Sequence, residues 1–117
     1  MTVQVKRVYA LPSPGDGYRV LVDRLWPRGI SKASLNADEW MKEIAPSNEL
    51  RKRFGHHEGN WDEFQELYFK ELDNCPDLIE QLIQKSRVGN LTLLYAAKDE
   101  EHNNAIALKN YLERKLH

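Results

Sequence analysis

Two charged residues stand side by side at the end of an apolar run. Val20-Leu21-Val22 leads into Asp23-Arg24, and Leu25-Trp26-Pro27-Arg28-Gly29 follows. A buried ion loses its hydration, so Asp23 and Arg24 must be paired or must serve a ligand. A second such place is the end of the apolar run from Leu91 to Ala97, where Lys98-Asp99 follows. Arginine offers oxyanions a planar fork, and lysine offers a point charge. Arg24, Arg28 and Lys98 would together suit a phosphate, carboxylate or sulfate, with Asp99 at the same strand end and Trp26 as a flat surface beside them. Asp23 and His102 are the acid–base candidates, because imidazole titrates near neutrality and a carboxylate can orient it. Structural roles compete for every one of these residues. Asp23 and Arg24 can lock a loop, Arg28 can be a solvated charge, Asp99 suits a helix cap, and His102 can be a hydrogen-bonded histidine. Tryptophans such as Trp26, Trp40 and Trp61 more often pack than stack on ligands.

The elements that would position these groups follow from periodicity. Residues 3–9 alternate as a first strand, and the Pro/Gly-rich stretch 11–17 is a turn. That stretch is short for a parallel crossover, so a hairpin is expected, with the first strand antiparallel to the second. Residues 18–25 form the second strand, apolar on both faces and therefore central. Pro27 ends it, and Gly29 permits a turn. Residues 38–45 fit two patterns. Trp40, Lys42 and Ile44 alternate like a strand, while Trp40, Met41 and Ile44 share a helical face; the extended reading is preferred. A short helix over 47–54 has Ser47 as its N-cap and Gly55 past its end. A helix over 60–72 opens with Asn60 and with Glu63 in the capping-box position, and another starts at Pro76. Residues 91–97 form the last strand, also central. The last helix, 100–116, takes Asp99 as its cap and the stripe Ala105, Leu108, Leu112, Leu116 as its core face. His102 lies one turn before Ala105, so it is expected to point under the helix towards the strand end.

The sum is a three-layer α/β domain, a small and mostly parallel sheet of about four strands flanked by helices. Ligands of such sheets favour the carboxyl ends of the strands. If the strands ending at Asp23 and Lys98 are parallel neighbours, those ends converge, and the N-terminus of the last helix points its free N–H groups there.

The bulk properties exclude several classes. A chain of 117 residues is read as a single domain, 1–117. Net charge is -1 and the pI about 6.4, which argues against generic nucleic-acid binding, although Arg24, Arg28, Lys32, Arg51, Lys52 and Arg53 cluster in the first half. The single cysteine, Cys75, leaves no internal disulfide and no multi-cysteine metal site, and fits a reducing cytoplasm. It precedes Pro76 without an evident partner base or second thiol, so an inert or merely oxidisable thiol is expected. No apolar run approaches a membrane span. His56-His57 beside Glu58 does not make a metal motif, because adjacent histidines point apart. No Gly-rich phosphate loop or nucleophile elbow is present, so no cofactor is expected.

The stretch Val22-Asp23-Arg24-Leu25-Trp26-Pro27-Arg28-Gly29-Ile30-Ser31-Lys32 resembles the signature of the YeaO-like family, part of the domain-of-unknown-function 488 superfamily. The resemblance continues through Ala45-Pro46-Ser47, Leu50-Arg51, Phe54-Gly55-His56, Trp61, Phe64, Tyr68, Glu71-Leu72 and the run from Leu93 to Asn103. It implies an α/β fold whose third element is a strand, and it brings no established activity. Many relatives in the wider superfamily carry cysteines around the last strand and the turn after it. This chain has Tyr95 and Asn103 there, so thiol chemistry does not carry over. Three functions are therefore weighed: binding of a small anion at the strand ends, with or without catalysis; a non-enzymatic interaction or regulatory module using the Trp26 loop and Arg51-Lys52-Arg53; and an accessory nucleic-acid binder using that basic turn.

Overall fold

The computed structural model describes residues 2–54 and 60–116. The readings of Gly55, His56, His57 and Glu58 lie outside these residues. Four strands, β1 (Thr2–Arg7), β2 (Tyr18–Leu21), β3 (Glu39–Trp40) and β4 (Asn90–Tyr95), form one sheet in the order β1-β4-β2-β3. Every pairing is parallel, with Val5 opposite Leu93, Tyr18 opposite Leu91 and Val20 opposite Glu39. The two strands that are apolar on both faces, β2 and β4, are the central ones.

Five helices flank the sheet: α1 (Lys32–Leu35), α2 (Asn48–Phe54), α3 (Trp61–Leu72), α4 (Pro76–Val88) and α5 (Asn104–Leu116). One face, with Val3, Val20, Leu91 and Leu93, packs against Tyr68, Leu72, Leu82, Leu108 and Leu112 of α3, α4 and α5. The other carries a smaller cluster of Val8, Leu21, Leu35 and Leu94 under α1 and the loops. The layers match the three-layer α/β expectation.

The expected hairpin is corrected. β1 and β2 are both parallel to β4, which lies between them, so residues 8–17 make a crossover with no α-helix. Side chains of the sheet supply what a helix would have supplied internally, hydrogen bonds to the crossing backbone. Thr92 donates to the Asp16 carbonyl at 2.6 Å, Asn90 to that of Gly15 at 2.8 Å, and Lys6 to that of Leu11 at 2.9 Å. Asp16 and Arg19, each 4% exposed, close the crossover with an ion pair at 2.5 Å, and Lys6 reaches the same carboxylate at 2.8 Å. Gly17 brings the chain against β4 with φ 65°, where a Cβ would lie 2.2 Å from the Asn90 carbonyl oxygen. Gln4 and Lys6 thus alternate with the valines of β1 because they grip this crossover, and a polar face need not be a solvent face.

The third element satisfies both of its sequence patterns in turn. It is extended over Glu39–Trp40 and then turns through a 3-10 helix at Lys42–Ile44. Met41 and Ile44 are both buried at a spacing of three, and Tyr68 donates to the Ile44 carbonyl at 2.7 Å. Ser47 caps α2 as read, accepting from the Leu50 amide at 3.1 Å. Asn60 precedes α3 but its side chain makes no cap bond.

The start of the last helix is also corrected. Asp99 does not cap it: its carboxylate accepts from the amides of Glu101 and His102, a local turn that competes with helix. α5 begins at Asn104, after Asn103 accepts from the Ile106 amide at 2.9 Å. His102 therefore lies outside the helical stripe. Its side chain is 42% exposed and stacks on Trp61, with centroids 4.8 Å apart, instead of pointing under the helix.

Candidate ligand site at the strand ends

The connections from β2 and β4 part at their carboxyl ends. The chain after β2 turns towards α1 on one face of the sheet, and the chain after β4 turns to α5 on the other. Such a parting of neighbouring connections is the place where open parallel sheets bind ligands.

Asp23 sits in this parting and is fully engaged. One carboxylate oxygen accepts from the Ala96 amide at 2.9 Å, and the other accepts from the Asn104 side-chain amide at 3.0 Å. The same Asn104 nitrogen donates to the Val22 carbonyl at 3.0 Å. Asp23 thereby clasps the end of β2 to the end of β4 and the start of α5. Burial pushes its carboxyl above the usual 3.8, while the bonds from Asn104 and Ala96 and the nearby Arg51 charge offset part of that rise.

Arg24 turns the other way. Its guanidinium donates to the Ala45 carbonyl at 3.1 Å, in the turn before α2. Its buried Nε has no partner among the described residues. Trp26 closes its own loop by donating to the Ile30 carbonyl at 2.7 Å, and it meets Trp40 edge-on at 5.5 Å. Trp40 in turn donates to the Asp23 carbonyl at 2.8 Å. Gly29, with φ 75°, bends the loop, and Arg28 lies exposed at its tip. Lys98 and Asp99 are exposed on the loop after β4. The side chains of Arg28 and Lys98 make no hydrogen bond or ion pair among the described residues.

The structure therefore sorts the sequence candidates into two groups. Asp23, Arg24 and Trp26 are bound into the framework, and Asp99 into its turn. Among the described residues the side chains of Arg28 and Lys98 have no partner, and both are exposed. His102 is apart from Asp23, on the aromatic stack of Trp61 and Phe64. Burial pushes the Cys75 thiol up, and its sulfur lies 3.4 Å from the Leu72 carbonyl.

Sequence reasoning missed Arg7, Tyr9 and Asn104. Arg7 donates from Nε to the Ala97 carbonyl at 3.0 Å, and its guanidinium lies 4.9 Å from the centre of the Tyr9 ring. Tyr9 donates to the Arg28 carbonyl at 2.9 Å. The end of β1 thus supports both loops, the one with Arg28 and the one with Lys98. A parallel reading of β1 would have put Arg7 and Tyr9 at this end; the hairpin reading put them at the other. The signal for Asn104 was its place beside the cap, on the first turn of the last helix.

Two concavities lie away from the strand ends. One, of about 390 Å³, borders the crossover at Pro12, Ser13, Arg19 and Asp38; the other, of about 340 Å³, runs between β3 and α4. Among the described residues no group of three or more His, Cys, Asp or Glu is placed to hold a metal, and no helix is long and apolar enough to cross a membrane.

With this geometry in hand, comparison with known proteins gives a family. Residues 2–117 match the model described as the inactive DUF488-N3 subclade. The uncharacterized protein YeaO of Escherichia coli (strain K12) is 46% identical over 112 residues, covering 96% of this chain and 97% of that protein. The chain belongs to the YeaO-like DUF488 family. Another relative of this DUF488 protein is the uncharacterized protein Rv3073c of Mycobacterium tuberculosis (strain ATCC 25618 / H37Rv), 46% identical over 78 residues, 67% of this chain and 66% of that one. No solved structure matches it. The Tyr95 and Asn103 of this DUF488 chain are both buried, and Asn103 serves as the helix cap.

Proposed function

We propose that this DUF488 chain is a non-catalytic binding domain that recognises an anionic group at the rim formed by Arg7, Arg28 and Lys98. One observation carries the reading. Both oxygens of Asp23 are held by structural donors, and His102 sits on Trp61, so among the described residues Asp23 and His102 do not form an acid–base pair. Arg28 and Lys98, by contrast, are exposed on loops that Arg7 and Tyr9 hold in place. The description of the matching family model as inactive agrees with a binding role. Asp23 acts here as a positioning residue, and Arg24 anchors the loop from below.

The test is a thermal-shift screen with inorganic phosphate, pyrophosphate, sulfate and citrate, followed by calorimetry on any stabilising anion. Arg28→Ala/Lys98→Ala should stay folded and bind at least ten-fold more weakly, since hydrogen bonds to charged groups contribute about 1.5–3 kcal/mol each. The bound anion should be recovered chemically unchanged. Equal binding by the variant refutes the rim, and hydrolysis of bound pyrophosphate refutes the non-catalytic reading. A second reading, in which the anionic group belongs to a protein partner, is favoured by Leu25, 67% exposed beside Arg24. Loss of a partner with Leu25→Ser, without loss of free-anion binding, would distinguish it.

A further inference from the structure

The geometry points to a second binding surface: the groove between the open edge of β3 and α4, which would take an extended basic peptide as a fifth strand of the sheet. Among the described residues β3 ends the sheet and is paired only with β2. Its backbone bonds to β2 reach from the Asp38 amide to the Met41 amide, at 2.8 and 2.9 Å. The extended segment itself is two residues, Glu39–Trp40, so the edge offers about 7 Å at about 3.3 Å per residue, room for a short addition. Strand addition at such an edge draws affinity from backbone hydrogen bonds and specificity from alternate side chains.

Both sets of alternate side chains find a defined surface here. Glu39 lies opposite Val20, whose side chain faces α3, α4 and α5, so Glu39 faces α4. Trp40 lies opposite Leu21, on the other face, and is 39% exposed. On the α4 side the groove has a floor of Met41 and Leu82, and its rim carries Glu39, Asp77 and Glu80. The one rim cation, Lys85, has its ammonium drawn over the Tyr18 ring at 4.4 Å. Tyr18 donates to Glu39 at 2.9 Å, and burial with that neighbour pushes its phenol up to about 12, so it remains a donor.

This pattern selects the occupant. Residues of the added strand that face α4 should be Lys or Arg, whose aliphatic stems would lie along the groove while their charges reach the acidic rim. Residues facing the other way should be apolar, against Trp40. A second copy of this chain does not fit. Antiparallel pairing of two β3 edges would place both α4 helices on the same face, with Asp77 and Glu80 of each copy confronting their equivalents.

The probe is a fluorescein-labelled peptide of alternating Lys and Val, compared by anisotropy with a Glu/Val peptide and with a Lys/Val peptide N-methylated at alternate residues. The variant is Glu80→Lys/Gln84→Lys. Both positions are exposed and lie within α4, where Lys is a good helix former. Saturable binding of the Lys/Val peptide is expected, with none by the Glu/Val peptide and little by the N-methylated one. The variant should bind about tenfold more weakly, because rim charges that attracted the peptide now repel it. Equal binding of the N-methylated peptide overturns strand addition, and equal binding by the folded variant overturns the groove. Absence of saturable binding, or a stable dimer in sedimentation, overturns the proposed occupant.

Discussion

Replacing Asp23 with alanine separates a framework residue from a reactive one. In the native chain its carboxylate answers the Ala96 amide and the Asn104 side-chain amide, both half-buried. Alanine leaves both donors without an acceptor. Such an orphaned donor costs about 1–3 kcal/mol when buried, and partial exposure puts each of these near the lower end, for a total of about 2 kcal/mol. For a domain of this size that loss corresponds to a fall in Tm of about 8 °C. The pH dependence sharpens the expectation. Burial raises the folded pKa of Asp23 above 3.8, so the native state holds this proton more tightly than the unfolded chain does. Its contribution is fully present below 3.8 and is lost as pH rises through the folded value. The stability gap between the native chain and Asp23→Ala should therefore be wider near pH 4 than at neutrality. Urea unfolding at several pH values measures the gap, and Asn104→Ala with the double variant measures the coupling. A variant as stable as the native chain, or more stable, would show that Asp23 is held at a cost for chemistry and would refute the clasp.

Two further substitutions probe the crossover between β1 and β2. Gly17→Ala meets a strained φ of 65° and a backbone oxygen at 2.2 Å, whereas Gly29→Ala at φ 75° meets nothing within 4 Å. Calorimetric melting should show a loss of about 3 kcal/mol or more for the first and about 1 kcal/mol for the second. Asp16→Asn breaks a buried carboxylate away from Arg19 and Lys6 and should cost about 3 kcal/mol at neutral pH. Burial alone would raise the Asp16 carboxyl, but the bonds from Lys6, Ser13 and Arg19 hold it well below the usual carboxylate range. Its contribution is present above 3.8 and fades as pH falls below that value, so acid titration should bring the native chain and Asp16→Asn together.

Much of the architecture was legible because it rests on local patterns. Trp61, Phe64, Tyr68 and Leu72 marked α3, Pro76 marked the start of α4, and the unbroken apolar runs ending at Val22 and Ala97 marked central strands. What was not legible depended on contacts distant in sequence. The parallel crossover works only because Thr92 and Asn90, far along the chain, bind the carbonyls of Asp16 and Gly15. The start of α5 was misplaced because Asp99 and Asn103 are equally good caps by residue type, and the choice between them is made by the turn Asp99 forms with Glu101 and His102. The candidate site inherited both errors. Reversing β1 removed Arg7 and Tyr9 from the strand ends, and extending the helix turned His102 inward.

The two ends of the sheet use charge in opposite ways, and this contrast bears on where a ligand can act. At the amino end of β2, cations and carboxylate are matched to each other: Lys6 and Arg19 bind Asp16, and the rest of the Arg19 guanidinium goes to the carbonyls of Leu35 and Asn36 at 2.6 and 3.0 Å. Both of these cations are thereby committed within the protein. At the carboxyl end, amides rather than cations satisfy Asp23. That choice holds the strand ends together without consuming a positive charge, so Arg28 and Lys98 stay available at the rim. Had Asp23 been paired with either of them, one cation of the rim would have been neutralised. The use of Asn104 in place of a cation is thus what clasps the strand ends without drawing on Arg28 or Lys98.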